Sequence, residues 1–207
     1  MQATQALLQV HAACAKPPPV WLQASAVGYY GDCGEQEVTE EAAQGSLFLS
    51  EVCRAWEEAA SSVQARLVIL RTGLVLAPDA PAWQKMLMPI KCGVGGALGS
   101  GQQWFAWITA EDLARACLFL VDHPDGRGVF NLATPQPIRQ VEMTRQCAKA
   151  LSRPAFLPVP AFALKAALGG VATELLLPSC RALPAHLEHL GFEWNHPTFE
   201  QALPTLL

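Results

Sequence analysis

The run RLVILRTGLVLAP (66–78) constrains this chain more than any other feature. It is almost unbroken leucine and β-branched residues, the pattern of a strand covered on both faces, and such strands belong to parallel sheets flanked by helices. A second apolar run, VWLQASAV (20–27), closes at Gly28 and Gly31 and reads as a buried strand. Between them, residues 46–63 begin at Ser46 and set Leu47, Val52, Trp56 and Ala60 on one broad apolar face, as in an amphipathic helix. Residues 20–73 therefore read as strand–helix–strand, a right-handed parallel crossover.

The alternation continues on both sides. Residues 2–15 carry Ala and Leu at helical spacing up to the stop at Pro17–Pro18–Pro19. Residues 84–91 read as a short helix and 93–101 as a glycine-rich loop. TAEDLARACLFLVDH (109–123) is a helix capped by Thr109, GVFNLAT (128–134) a short strand, and 138–151 another amphipathic helix. From Pro154 onward prolines punctuate short helices. The division expected is 1–150 for a sheet domain, with substrate-side loops at 78–108, and 151–207 for a small helical lobe. The fold class is α/β, a doubly wound parallel sheet, but only three strands are convincing and the chain opens on a helix.

Charge and cysteine usage narrow the partners. Charged residues make up 15% of the chain against about 25% in an ordinary domain, so it hides a large interior or expects to meet more polypeptide. A net charge of −4 with scattered Lys and Arg excludes a nucleic-acid partner. Seven cysteines without a C-x-x-C pair read as free thiols in a reducing compartment, and the N-terminus lacks a secretory pattern. The most apolar stretch, 161–177, is interrupted by Lys165, Gly169, Gly170 and Glu174, which argues against a membrane span. The expectation is a cytoplasmic protein.

Ser25 stands at the carboxyl end of an expected parallel strand, where α/β proteins place ligands. It reads either as a reactive-site hydroxyl or as a turn serine bonding backbone at Gly28. A nucleophile elbow is ruled out, because Gln23 and Val27 stand where G-x-S-x-G needs glycine. A Ser25–Asp112–His123 triad fails with it.

ASAVGYYGD (24–32), RTGLVLAPD (71–79), GSGQQWFAWITAEDLA (99–114) and GVFNLATPQP (128–137) together resemble the extended short-chain dehydrogenase/reductase superfamily. Within it the chain is similar to the YfcH-type epimerase family, an atypical branch, and RALPAHLEHLGFEW (181–194) looks like that family's C-terminal segment. The resemblance implies a Rossmann-type domain binding NAD or NADP and a small lobe over an unidentified small-molecule substrate. It puts Ser25 at the catalytic serine, Ala24, Ser25, Thr72 and Gly73 beside the cofactor, and Gly99, Gly101, Trp104 and Trp107 on the substrate side. For Asp112 the competing role is an acid on the helix dipole, and for the tryptophans it is core packing.

Two departures qualify what the resemblance implies. The Tyr-x-x-x-Lys pair, in which lysine lowers the tyrosine pKa, is missing from FLSEVCRAWEEA (48–59), as in the atypical branch. The acid/base is left unidentified; Tyr29 or Tyr30 could serve instead, with packing as the alternative for Tyr30. The cofactor turn is the second. GVGGALGSG (93–101) has no strand before it and no helix directly after it, so it reads as a loop beside a substrate rather than a phosphate cradle. The expectation is a shortened unit lacking its first four strands, about 80–90 residues, binding no dinucleotide tightly and exposing a sheet edge for self-association. His186 and His189, three apart, read as a solvated helix face rather than a metal site. The reading is an NAD(P)-dependent epimerase or reductase relative, inactive as this chain. Its alternative is a non-catalytic NAD(P)-sensing protein on the same scaffold.

Overall fold

The computed structural model describes residues 2–207. Helix α1 (Gln2–Ala13) leads into β1 (Val20–Ala26), a single 3-10 turn (Val27–Tyr30) and the short β2 (Glu37–Val38). Then come α2 (Phe48–Ala60), β3 (Arg66–Thr72), β4 (Leu74–Leu76) and α3 (Pro81–Lys91). Strands β5 (Trp104–Phe105) and β6 (Trp107–Thr109) precede α4 (Ala110–Asp122), β7 (Gly128–Leu132), β8 (Ile138–Arg139) and α5 (Gln140–Ala150). The last part holds α6 (Ala161–Leu168), a π-helical turn (Ala172–Leu176), β9 (Arg181–Ala182), α7 (Ala185–His189) and α8 (Phe199–Leu206).

The central sheet is parallel, in the order β1-β3-β7. One face is apolar: Val68, Leu70, Phe130 and Leu132 pack on Ala116 and Leu120 of α4 and on Leu187 and Phe192. Helix α2 packs against β1 and α1 against α2. The α4 cap is the expected one, with Thr109 Oγ1 accepting from the Asp112 amide at 3.1 Å. At its other end the Arg66 guanidinium covers the free carbonyls of Leu120 and Val121.

The long apolar run is two strands, not one. It breaks at Gly73, where an added Cβ would lie 2.6 Å from the Ala106 carbonyl oxygen. Gly73 donates to Leu132 and Leu74 to Ala106, so the chain leaves the central sheet and β4 pairs instead with β6. Beyond the break Leu76 enters a second core with Trp83, Leu87, Trp107, Met143 and Phe199. Trp83 donates to the Leu206 carbonyl at 2.9 Å, so α8 is built into this core rather than appended to it. Helix α2 also starts later than Ser46: no side chain caps it at Leu47, and Glu174 of the π turn accepts from the Leu49 amide at 3.1 Å. Among the described residues no helix is long and apolar enough to cross a membrane.

Candidate functional site

Strand register builds the site. Ser25 lies opposite Arg71, and Arg71 opposite Asn131, so the three form one row across the carboxyl end of the central sheet. Residues in register on neighbouring strands point to the same face, here the one beneath α2. Helix α2 supplies Glu57. Its Oε1 accepts from the Ser25 hydroxyl at 2.7 Å and from Arg71 Nε at 2.9 Å, and its Oε2 accepts from Arg71 Nη2 at 2.8 Å. Both side chains of the pair are nearly enclosed, at 5% and 10% exposed. This is the bidentate geometry in which a guanidinium and a carboxylate bind best.

The row extends beyond Arg71. Arg71 Nη1 donates to the Tyr30 hydroxyl at 3.0 Å, and Tyr30 in turn donates to Asn131 Oδ1 at 2.7 Å. Asn131 donates from its amide to Glu40 Oε1 at 2.9 Å and from its side chain to the Leu183 carbonyl. The Tyr29 ring lies under the Arg71 guanidinium, 3.4 Å from its centroid. Burial pushes the Tyr30 phenol up to about 12, against the opposing pull of Arg71. For Arg71 burial works to lower the pKa, but its bonds to Glu57 and Tyr30 outweigh it and the net shift is upward. Cys53 of α2 lies beside Ser25 and is raised, chiefly by burial.

The expected residues separate into groups. Ser25 is the β1 end of the row, and Ala24, its neighbour on the strand, points to the opposite face and is exposed. Thr72 ends β3 half-buried, with its hydroxyl donating back to Leu70. Gly73 is explained by the Ala106 contact. Tyr30 is a clamp at 3% exposed, with both hydroxyl roles taken. Tyr29 is a platform for the guanidinium. Trp107 is fully enclosed, donates to the Gln136 carbonyl and meets Phe199 edge-on, so it is core and not substrate-side. Trp104 sits between the Arg139 and Arg181 guanidiniums, 4.4 and 4.6 Å from its ring centre, and donates to Glu35.

The glycine-rich loop is braced to the chain that follows α5. Gly99 donates to Val159, Val159 to Ala97 and Leu157 to Gly95. A Cβ on Gly96 would fall on the Leu157 carbonyl. Gly101 donates to Leu98, and the Leu98 amide is held by Gln140. The loop lies between α3 and β5, with no helix start at its end to cradle an anion. Asp112 does more than answer a helix dipole: fully buried, it accepts from the amides of Asn195 and His196, both at 2.9 Å, and from Arg115. His186 is held by the Val129 carbonyl at 2.7 Å, and among the described residues no His, Cys, Asp or Glu group is arranged for a metal. A hollow of about 540 Å³ lined by Gln64, Arg66, Arg127 and Gly128 lies at the opposite ends of the strands, away from the row.

Glu57, Arg71, Asn131 and Glu40 were not singled out by sequence. The signal was present in Arg71: a charge inside an apolar strand has to find a buried partner.

A family model for the NAD dependent epimerase/dehydratase family matches residues 1–133, and a model described only as a domain of unknown function matches residues 159–206. An epimerase family protein of Mycobacterium leprae is 40% identical over 186 residues, covering 88% of this chain and 61% of that protein. The chloroplastic homolog of epimerase family protein SDR39U1 from Arabidopsis thaliana is 40% identical over 192 residues, covering 92% of this chain and 55% of that one. The chain thus spans about three fifths of the length of these curated relatives. Among solved structures, human epimerase family protein SDR39U1 with NADPH superposes with a TM-score of 0.91 at 29% identity, over 99% of this chain and 71% of that one.

Proposed function

The chain belongs to the NAD dependent epimerase/dehydratase family, and from that premise we propose that it forms the reaction side of an NAD(P)-dependent epimerase or reductase of the atypical short-chain type. The observation that carries the proposal is the Ser25 hydroxyl, held by the Glu57–Arg71 pair at the carboxyl end of the sheet. Ser25 gives its single proton to Glu57, so toward a substrate it has lone pairs to offer. It therefore orients a substrate hydroxyl, which can donate, rather than a carbonyl. Glu57 is a positioning residue: it fixes the rotamer and the proton of Ser25.

The residues present fit the two ends of a dinucleotide unequally. Pyrophosphate needs free amides at the start of a helix after a glycine turn, and the glycine-rich loop follows a helix and leads into the strand β5. Without that contact the chain forgoes much of the binding free energy, which for a micromolar ligand totals about 8 kcal/mol. The described residues alone do not make a dinucleotide site, and no chemical step is assigned through one. Titrating the chain with NADPH and following nicotinamide fluorescence is expected to give no saturation in the low-micromolar range. Saturation there would overturn the reading.

A second reading, a non-catalytic NAD(P)-sensing protein, draws on the absent Tyr-x-x-x-Lys pair and on the Tyr30 clamp, in which that hydroxyl has both its roles taken. Fusing the chain to the N-terminal segment of a curated relative separates the two. Hydride exchange with a nucleotide sugar or a steroid, lost in Ser25→Ala, supports the enzyme. NADPH binding with no turnover on either class supports the sensor.

A further inference from the structure

The chain crosses itself where the loop after β1 meets the segment before β9. Cys33 donates its amide to the Ser179 carbonyl at 2.7 Å, and Ser179 donates its own amide to Asp32 at 3.1 Å. This pair of bonds sets Cys33 beside Cys180. Both sulfurs rest on carbonyls of the same 3-10 turn, Cys33 Sγ on Tyr30 at 3.6 Å and Cys180 Sγ on Val27 at 3.7 Å. The two side chains pack against one apolar cluster. Neither is sealed off, since both are partly exposed.

We propose that Cys33 and Cys180 form a thiol–disulfide exchange site that takes a small disulfide such as oxidised glutathione and closes into a reversible crosslink between the Ser25 loop and the C-terminal lobe. The roles of the two sulfurs differ. The neighbouring Cys180 pulls the Cys33 thiol below its ordinary range, against burial and Asp32, while Cys33 and burial push Cys180 well above it. The thiolate is the attacking species, so Cys33 attacks first. Its sulfur bonds to one sulfur of the small disulfide, the old S–S bond breaks, and one glutathione thiolate leaves and is protonated. Cys180 then gives its proton to solvent and attacks the Cys33 sulfur, displacing the second glutathione. The protein loses two electrons and two protons, and one small disulfide becomes two small thiols.

The crosslink would fasten the turn carrying Tyr29 and Tyr30 to the segment whose Cys180 amide bonds Trp104. It would act on the Ser25 row without using any of its residues.

The test is to incubate the folded chain with oxidised glutathione, quench with acid and map the cysteines by mass spectrometry with fragmentation. Exposed Cys14 and Cys92 report ordinary reaction and are expected to retain glutathione, while buried Cys53 and Cys147 report that the fold is intact by staying unmodified. Cys33 and Cys180 are expected to appear linked, two hydrogens lighter and free of glutathione. In Cys180→Ser, Cys33 should retain glutathione, and in Cys33→Ser, Cys180 should stay a thiol. A glutathione that persists on Cys33 in the unaltered chain, a link to another cysteine, or an unreacted pair while Cys14 and Cys92 are modified would each overturn the proposal.

Discussion

A guanidinium buried in an apolar strand costs several kcal/mol unless it is paired, and Arg71 is paired on every side: Glu57 at its fork, Tyr30 at Nη1 and the Tyr29 ring beneath. Removing one partner therefore differs from removing both. Glu57→Gln leaves a buried positive charge and is expected to cost about 3–5 kcal/mol, whereas Glu57→Leu with Arg71→Met should cost much less. Urea denaturation of the single and double variants gives the coupling directly, and additive losses would show that the pair is not a unit. Tyr30 adds a dependence on pH. Its phenol sits at about 12 in the fold against an ordinary 10.0, so the neutral form is the one the fold favours. The unfolded chain loses its phenol proton first, so stability is full below pH 10 and falls by about 3 kcal/mol as pH rises toward 12. Ultraviolet titration of phenolate should show one tyrosine resisting ionisation until about 12, and Tyr29→Phe should leave that late step in place.

At the scale of elements, Gly73 decides where the apolar run divides. Gly73→Ala would put a methyl group 2.6 Å from the Ala106 carbonyl oxygen and is expected to destabilise the chain by about 1–3 kcal/mol, read as a lower urea midpoint. A wild-type midpoint would mean that β4 can move aside at little cost. The crossover from β1 through α2 to β3 was legible because period and composition are local properties, and so was the Thr109 cap. The break at Gly73 was not, because glycine inside a strand shows only that something comes close, and the Ala106 carbonyl arrives from a distant part of the chain. The start of α2 escaped for a related reason, since its cap is Glu174, 125 residues away. The same limit applied to the site. The position of Ser25 could be read from its strand, but its proton acceptor lies on a helix 32 residues later and is fixed by packing, not by a motif. Asp112 joins elements in a way no spacing reveals. In Asp112→Asn one of the amides of Asn195 and His196 faces an N–H₂ group, so amide hydrogen exchange at both positions is expected to accelerate well before α4 opens.

For the molecule as a whole, the central sheet meets solvent at the β1 edge. Among the described residues β1 pairs only with β3, and from Val20 to Ala26 it carries no charged side chain. Sheet edges that avoid each other are usually protected by lysine, a bulge or a covering element, because an open row of amides and carbonyls accepts another strand. Here the neighbouring helices add apolar surface, with Leu7 and Val10 of α1 about three-fifths exposed, at 58% and 61%. An unprotected edge beside an apolar helix face should draw chains together, and we propose self-association through β1. Sedimentation velocity across a concentration series is expected to show the weight-average coefficient rising. Ala24 is exposed on that strand, so Ala24→Lys should keep the monomer's stability while placing a charge where a second strand would dock. If the edge is the contact, the rise disappears in this variant. An equal rise in both proteins would move the contact to α1, where Leu7→Glu becomes the variant that abolishes it.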